Sequence, residues 1–185
     1  MKVIRNQTID TNNVQIGDQI LIKLKSKTYT FSATAQRITK DGIIFMFDEC
    51  VAKRQMNSEW TNEGGYEASE LKKWMEKELL DEFPADIRNK IGYITLPTYG
   101  QIFGHDPFYK DYIEPDSDKQ FRLMKVRKNR IADYENCWEW YWLKNATKKE
   151  VSAAAFAHVH NYGSTGSGGA STSRGVRPVF LLKTK

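Results

Sequence analysis

Residues 19–50 carry the pattern of β-structure. A first apolar run spans 19–24, Ser26 and Lys27 make a turn, and 29–39 is rich in β-branched and aromatic side chains. Asp41-Gly42 separates that run from Ile43-Ile44-Phe45-Met46-Phe47, and an Asp-Gly pair between apolar segments is a strong local hairpin signal. After a polar, glycine-containing loop over 60–65 the period lengthens. Leu71, Trp74, Met75, Leu79 and Phe83 recur at three- and four-residue steps, which places them on one face of an amphipathic helix that Pro84 ends. A short second helix is expected over 84–91, since proline is tolerated in a first turn.

Residues 100–132 are charged and aromatic without a sustained period, and read as a long, largely irregular insert with room for short helices. Strand character returns at 139–144, 154–161 and 176–182. Between the last two lies Gly163-Ser164-Thr165-Gly166-Ser167-Gly168-Gly169-Ala170, which lacks the Gly-Lys-Ser/Thr ending of a phosphate loop and reads as a long turn between antiparallel strands. No repeat or linker divides the 185 residues, so a single domain over 1–185 is expected.

Charge changes this picture little. A formal charge of +5 permits an acidic partner, but acidic and basic side chains are intermixed, and the densest basic run, 125–130, is short. Nucleic-acid binding through that run is the third-ranked reading. Cys50 and Cys137 lack CxxC spacing and a neighbouring histidine, which argues against a zinc site and a disulfide scaffold. Residues 1–7 lack the apolar core of a secretory signal, and no window resembles a membrane span, so a soluble chain made in the cytoplasm is expected, with no membrane partner.

Several motifs together resemble a family of domains of unknown function from Gram-positive bacteria and their prophages. Its Trp-Trp-Leu-Arg-Ser-like strand has its counterpart in Tyr141-Trp142-Leu143-Lys144-Asn145, and its Gly-Val-Arg-Pro-Ala-like strand in Gly175-Val176-Arg177-Pro178-Val179. Between them stands Ala155-Phe156-Ala157-His158-Val159; upstream are Ile16-Gly17-Asp18 and the helix start Tyr66-Glu67-Ala68-Ser69-Glu70-Leu71. Such domains are similar to the C-type-lectin-like fold of formylglycine-generating enzymes and retroelement-diversified variable proteins. The resemblance implies an α+β fold: a twisted antiparallel sheet, one main amphipathic helix, an N-terminal β-hairpin, the long central insert, and a loop-built face. It also makes association with a phage particle an expectation. Lys144-Asn145-Ala146 departs from the family's Arg-Ser-Pro.

The candidate chemistry lies toward the C-terminus. His158 and His160 alternate with small apolar residues, so both imidazoles share one strand face, read as an exposed polar face that also carries Phe156 and Tyr162. Trp138, Trp140 and Trp142 share a face of a nearby strand by the same alternation. Trp142 and Phe156 match apolar family positions and are expected in the core. Aromatics mixed with adaptable polar groups suit recognition, and the expected ligand-binding set is Trp140, Asn145, His158, His160, Tyr162 and Ser164. Its ligand is expected to be a protein or a glycan, bound without catalysis, cofactor or metal.

Glu114-Pro115-Asp116 is similar to the calcium-ligating tripeptide of sugar-binding lectins, but the Trp-Asn-Asp partner is missing. The competing reading is an enzyme related to the formylglycine-generating fold, with Cys137 or a His/Asp grouping as its centre. Against it, neither cysteine sits in a paired-cysteine motif, and each reads as a small buried hydrophobe. Arg177, between strand-forming residues and before proline, is expected to tie down carbonyls at the sheet end.

Overall fold

The computed structural model describes residues 13–184; the segment 1–7 read for a secretory signal lies outside them. Two five-stranded sheets and a small ribbon organise the chain. The first sheet holds β1 (Gln19–Ile22), β2 (Phe31–Thr39), β3 (Gly42–Phe47), β5 (Ile91–Thr95) and β12 (Val179–Lys183), in the order β1-β2-β3-β12-β5, all antiparallel. The second holds β4 (Ala52–Arg54), β8 (Tyr141–Ala146), β9 (Ala155–Val159), β10 (Thr165–Gly169) and β11 (Arg174–Val176), in the order β10-β9-β8-β11-β4. There β8 and β11 run parallel. The architecture is α+β, with two sheets and a parallel pair where the sequence suggested one antiparallel sheet.

The Asp41-Gly42 hairpin forms, with Thr39 opposite Gly42. The glycine has a second reason to be there. Its φ is +149°, and a Cβ would stand 2.2 Å from the Leu182 carbonyl oxygen of the neighbouring strand, so a side chain would push β12 away. β3 is buried at every position because both its faces are covered. Ile43, Phe45 and Phe47 join one core with Phe180, Leu182 and Trp142, while Ile44 and Met46 join a second with Val179, Tyr141 and Leu143.

The predicted helix runs over residues 70–82 as α2 (Glu70–Trp74), a π-helical stretch Met75–Leu79 and α3 (Leu80–Glu82), after the short α1 (Gly65–Ala68). Ser69 caps α2 by accepting the Lys72 N–H at 3.1 Å. Leu71, Met75, Leu79 and Phe83 are buried in the first core, whereas Trp74 is half-buried with the Arg54 guanidinium 4.3 Å above its ring. Pro84 does end this helix, and α4 (Ala85–Arg88) is shorter than expected because β5 begins at Ile91.

The central insert departs from expectation most. It contains α5 (Tyr99–Phe103), which starts at Thr98 with a capping box, then α6 (Pro107–Tyr112), and the 3₁₀ turns Leu123–Lys125 and Arg127–Arg130. Ile102, Tyr109, Ile113, Phe121 and Met124 are buried against Tyr141, Leu143, Ala157 and Val159. The insert therefore covers a sheet face and supplies a substantial part of the second core. After it, β6 (Ala132–Tyr134) and β7 (Cys137–Glu139) form a ribbon whose turn residues Glu135 and Asn136 both have positive φ, 51° and 66°. That is the two-residue geometry whose twist matches paired strands.

Two further corrections concern the C-terminus. The glycine-rich segment is a strand, β10, paired with β9 along its length. The expected strand over 176–182 is two strands in different sheets, divided at Arg177-Pro178. Pro178 has no N–H to continue a ladder. Its carbonyl accepts the Phe47 N–H at 3.1 Å, and that of Val176 accepts the Val51 N–H at 2.8 Å.

Candidate functional site

The second sheet builds a cluster of rings on one face. His158 of β9 lies between its cross-strand neighbours Trp142 of β8 and Gly166 of β10. Glycine at 166 is what admits the imidazoles: a Cβ there would stand 2.5 Å from His160 Nε2 and 2.7 Å from His158 Nε2. Gly168, two residues on and on the same face, does the same for Arg174, with a Cβ 2.5 Å from Nη2. Trp140, just ahead of β8, completes the cluster. Its ring lies 5.1 Å from His158 and 4.1 Å from His160, and the two imidazoles are 4.9 Å apart. His160 in turn meets Tyr162 at 5.3 Å.

A guanidinium flanks each end. Arg174 stands 4.7 Å from the Trp140 ring and 5.3 Å from Trp142. Arg127, from the insert, lies 5.5 Å from the Tyr162 ring and donates from Nε to the Tyr162 carbonyl at 3.0 Å. The insert thus reaches the rim of this face.

The expected exposure of both histidines is corrected by burial. His158 is 1% exposed, and among the described residues neither of its ring nitrogens has a hydrogen-bond partner. His160 is half-buried, and its Nδ1 is likewise unpartnered. Burial, then Arg174, then His160 pull the His158 pKa down to about 3, while burial and Arg174 lower that of His160. Between pH 6.5 and about 3 the unfolded chain therefore binds a proton at residue 158 that the folded chain refuses. Stability rises with pH across this window, by about 1.4 kcal/mol per unit from this residue. The contribution is complete above pH 6.5 and is lost as pH falls toward the folded value. Urea unfolding between pH 7 and 4 is expected to show a slope lower by about one proton in His158→Leu than in the natural protein; equal slopes would place the imidazole in contact with water.

The remaining expected site residues divide. Tyr162 is 48% exposed, and Ser164 stands at the β9–β10 turn, its carbonyl accepting the His160 N–H at 2.8 Å. Trp138 does not join Trp140 and Trp142. It belongs to the ribbon and is 64% exposed, because the chain changes sheets at Trp140 and the alternation does not run through. Asn145 is also apart and is buried: its Oδ1 accepts the Tyr99 N–H at 2.6 Å, and its Nδ2 donates to the Glu114 carbonyl and Asp116 Oδ2, both at 2.9 Å. A bulge between Trp142 and Ala146 shifts the β8–β9 register on the way to it. Arg174, absent from the expected set, is the residue that sequence reasoning missed.

Asn145 lines a separate open cleft of about 720 Å³ beside Tyr66, Glu67, Lys144, Asp116 and Asp118. Lys144 Nζ is 2.7 Å from Glu67 Oε1 there, and this contact holds the carboxyl below its usual range. Of the two carboxylates in the calcium-like tripeptide, that of Asp116 is engaged within the protein. Asp116 accepts the Gly100 N–H at 3.0 Å, the Asp118 N–H at 2.9 Å and the Asn145 amide, and Asp118 accepts the Thr98 hydroxyl at 2.9 Å. Among the described residues no group of three or more His, Cys, Asp or Glu side chains is placed to hold a metal ion.

The cysteines differ. Cys50 is fully buried, with burial pushing its thiol pKa up, as expected of a small hydrophobe; Cys137 is exposed, contrary to that expectation. Under native conditions a maleimide is expected to label one cysteine, Cys137, with Cys50 reacting only on unfolding. Native labelling of both would show that the β4–β11 region opens. In the basic run, Arg130 turns inward, donating from Nε to the Met124 carbonyl at 2.6 Å with its guanidinium 4.9 Å from the Phe103 ring.

A family model described as a domain of unknown function (DUF6273) matches residues 38–107. That span holds β3, β4, the main helix, β5 and α5, and contributes Tyr66, Glu67 and Thr98 to the cleft, but none of the ring cluster. No curated protein and no solved structure matches the chain. Among the described residues no helix is long and apolar enough to cross a membrane.

Proposed function

We propose that the chain is a non-catalytic recognition module of C-type-lectin-like organisation that binds a protein or glycan through the face formed by Trp140, His160 and Tyr162, with His158 as its buried floor. One observation carries this reading: a continuous string of rings lies on the second sheet with an arginine at each end, and three of its ring nitrogens have no partner among the described residues. A structural core normally satisfies such groups. Rings with polar edges offer large contact area at small entropic cost, which suits stacking on a sugar or peptide.

Asn145 is removed from the proposed contact set, since its amide is spent on the α5 N-terminus and the insert. Ser164 stays at the rim. The test is a panel of glycans and surface proteins probed with the natural chain and with Trp140→Ala, His160→Ala and Tyr162→Ala, each checked for folding by thermal melt. Whichever panel member is retained should bind at least about tenfold more weakly to the Trp140 variant, the scale of a truncated aromatic hot spot. Undiminished binding by all three variants would place the site elsewhere, with the open cleft next to be examined.

A further inference from the structure

The recognition face contains a cation without an anion. Arg174 is half-buried, its Nε is inaccessible and unpartnered, and among the described residues its guanidinium makes no hydrogen bond or ion pair. The acidic side chain that acts on it, Glu139, is already used: Oε2 lies 2.7 Å from Lys53 Nζ and Oε1 accepts the Trp140 N–H at 2.9 Å. Arg174 also faces Trp140, Trp142 and Gly168, with the His158 and His160 imidazoles close enough to feel its charge. The two imidazoles nearby are disfavoured as cations, so each presents one N–H and one acceptor nitrogen. A guanidinium held out of bulk water normally faces a carboxylate or phosphate with which its planar fork makes paired hydrogen bonds.

The geometry supplies a second donor. Arg174 Nη2 lies over Gly168 and His160 Nε2 over Gly166. Positions two apart on one strand are separated by roughly 7 Å, a gap that one oxyanion can bridge when each of two oxygens accepts a hydrogen bond of about 2.8 Å. His160 Nε2 has no protein partner among the described residues and, unlike Nδ1, is not sealed from solvent. His158 beneath it, buried and without a partner for either nitrogen among the described residues, adds a polar floor.

We propose that Arg174 and His160, walled by Trp140, bind an oxyanion group of the ligand, a phosphate or a carboxylate. This rests on the recognition face proposed above and narrows its ligand to an acidic one. Gly166 and Gly168 are then specificity elements, because side chains at either position would displace the donors. The aromatic wall lets the rest of the ligand stack while its charged group is held at the fork.

The test is an NMR titration of the intact chain with inorganic phosphate and, separately, with acetate, at constant ionic strength and pH 7. It follows the buried Arg174 Nε–H and the His160 ring signals. Saturable shifts at both residues are expected, with the dissociation constant raised at least tenfold in Arg174→Gln and unchanged in Lys40→Gln, which removes an equal charge at the β2–β3 hairpin. Arg174→Lys keeps the charge without the fork and should fall between them; it also serves if the glutamine variant folds poorly. Saturation by phosphate alone assigns a phosphorylated ligand, and saturation by acetate alone a carboxylate. No saturable shift with either anion, or equal affinity in the glutamine variant, would overturn the site. Retention of a panel ligand that needs Trp140 but ignores Arg174→Gln would leave the recognition face standing and remove the anion; a ligand indifferent to both would remove both.

Discussion

Arg177→Ala is expected to destabilise the fold by about 3–5 kcal/mol, the cost of breaking a buried polar network by removing one member. Arg177 is 4% exposed and has no carboxylate partner among the described residues. Its charge is held by oxygen dipoles: Nε donates to the Phe47 carbonyl at 2.8 Å, and Nη1 lies within 3.2–3.4 Å of the Asn129 and Arg130 carbonyls and the Tyr141 hydroxyl. Phe47 ends β3, Tyr141 opens β8, and residues 129–130 close the insert. One side chain therefore clamps both sheets and the insert at the point where the chain passes from β11 to β12. Truncation takes the guanidinium donor from the Phe47 and Asn129 carbonyls, while the Arg130 carbonyl keeps the Tyr141 hydroxyl at 2.8 Å. Lysine keeps the charge but not the fork, so Arg177→Lys should recover only part of the loss. Urea midpoints of the three proteins check this; a loss under about 1 kcal/mol for alanine would mean that water replaces the guanidinium without penalty.

Trp142→Ala carries the other large effect, about 3–5 kcal/mol for an aromatic deleted from a packed core. Its ring is fully buried between Phe156, at 6.4 Å, and His158, at 6.3 Å, with the Arg174 guanidinium against it, and its indole N–H donates to the Arg54 carbonyl at 2.9 Å. That bond fastens β8 to β4 across the sheet. Because Trp142 underlies His158 and Arg174, the substitution should also loosen the recognition face. Trp142→Phe keeps most of the volume and loses the bond to Arg54, so it separates packing from hydrogen bonding. An alanine variant as stable as the natural chain would show that this end of the sheet is loosely packed.

Much of the frame was legible in the sequence, and the reasons differ from element to element. The β2–β3 hairpin and the helix face Leu71, Met75 and Leu79 announce themselves by local period and turn chemistry. Arg177 could be assigned its structural role because an arginine within a strand must be satisfied by whatever oxygens lie near. β10 was hidden because Thr-Gly-Ser-Gly-Gly has almost none of the side chains that favour strands. Its glycines answer to the imidazoles and guanidinium lying across them, which is a tertiary fact. β4 and β5 are short and gain their strand character from the C-terminal strands they pair with. The insert shows no single period because its buried residues come from two short helices, 3₁₀ turns and the links between them, all facing one sheet.

The candidate site was legible in part. Alternation correctly put His158 and His160 on one face with Trp140 and Trp142 nearby, but alternation cannot say which end of a face is covered, so the burial of His158 was missed. Arg174 was missed because a lone arginine after Ser-Thr-Ser carries no local signal. Its importance arises only where β11 lies parallel to β8 and brings it to Trp140.

The most direct measurement is ¹⁹F NMR of the chain labelled with 5-fluorotryptophan, recorded while adding a ligand retained from the binding panel. Its five tryptophans, 60, 74, 138, 140 and 142, report from distinct places. The Trp140 resonance should move most, followed by Trp142 beneath it, with Trp74 on the main helix and Trp138 on the ribbon unmoved. Movement at Trp74 or Trp138 with Trp140 still would contradict the assignment of the second sheet's ring cluster as the recognition face.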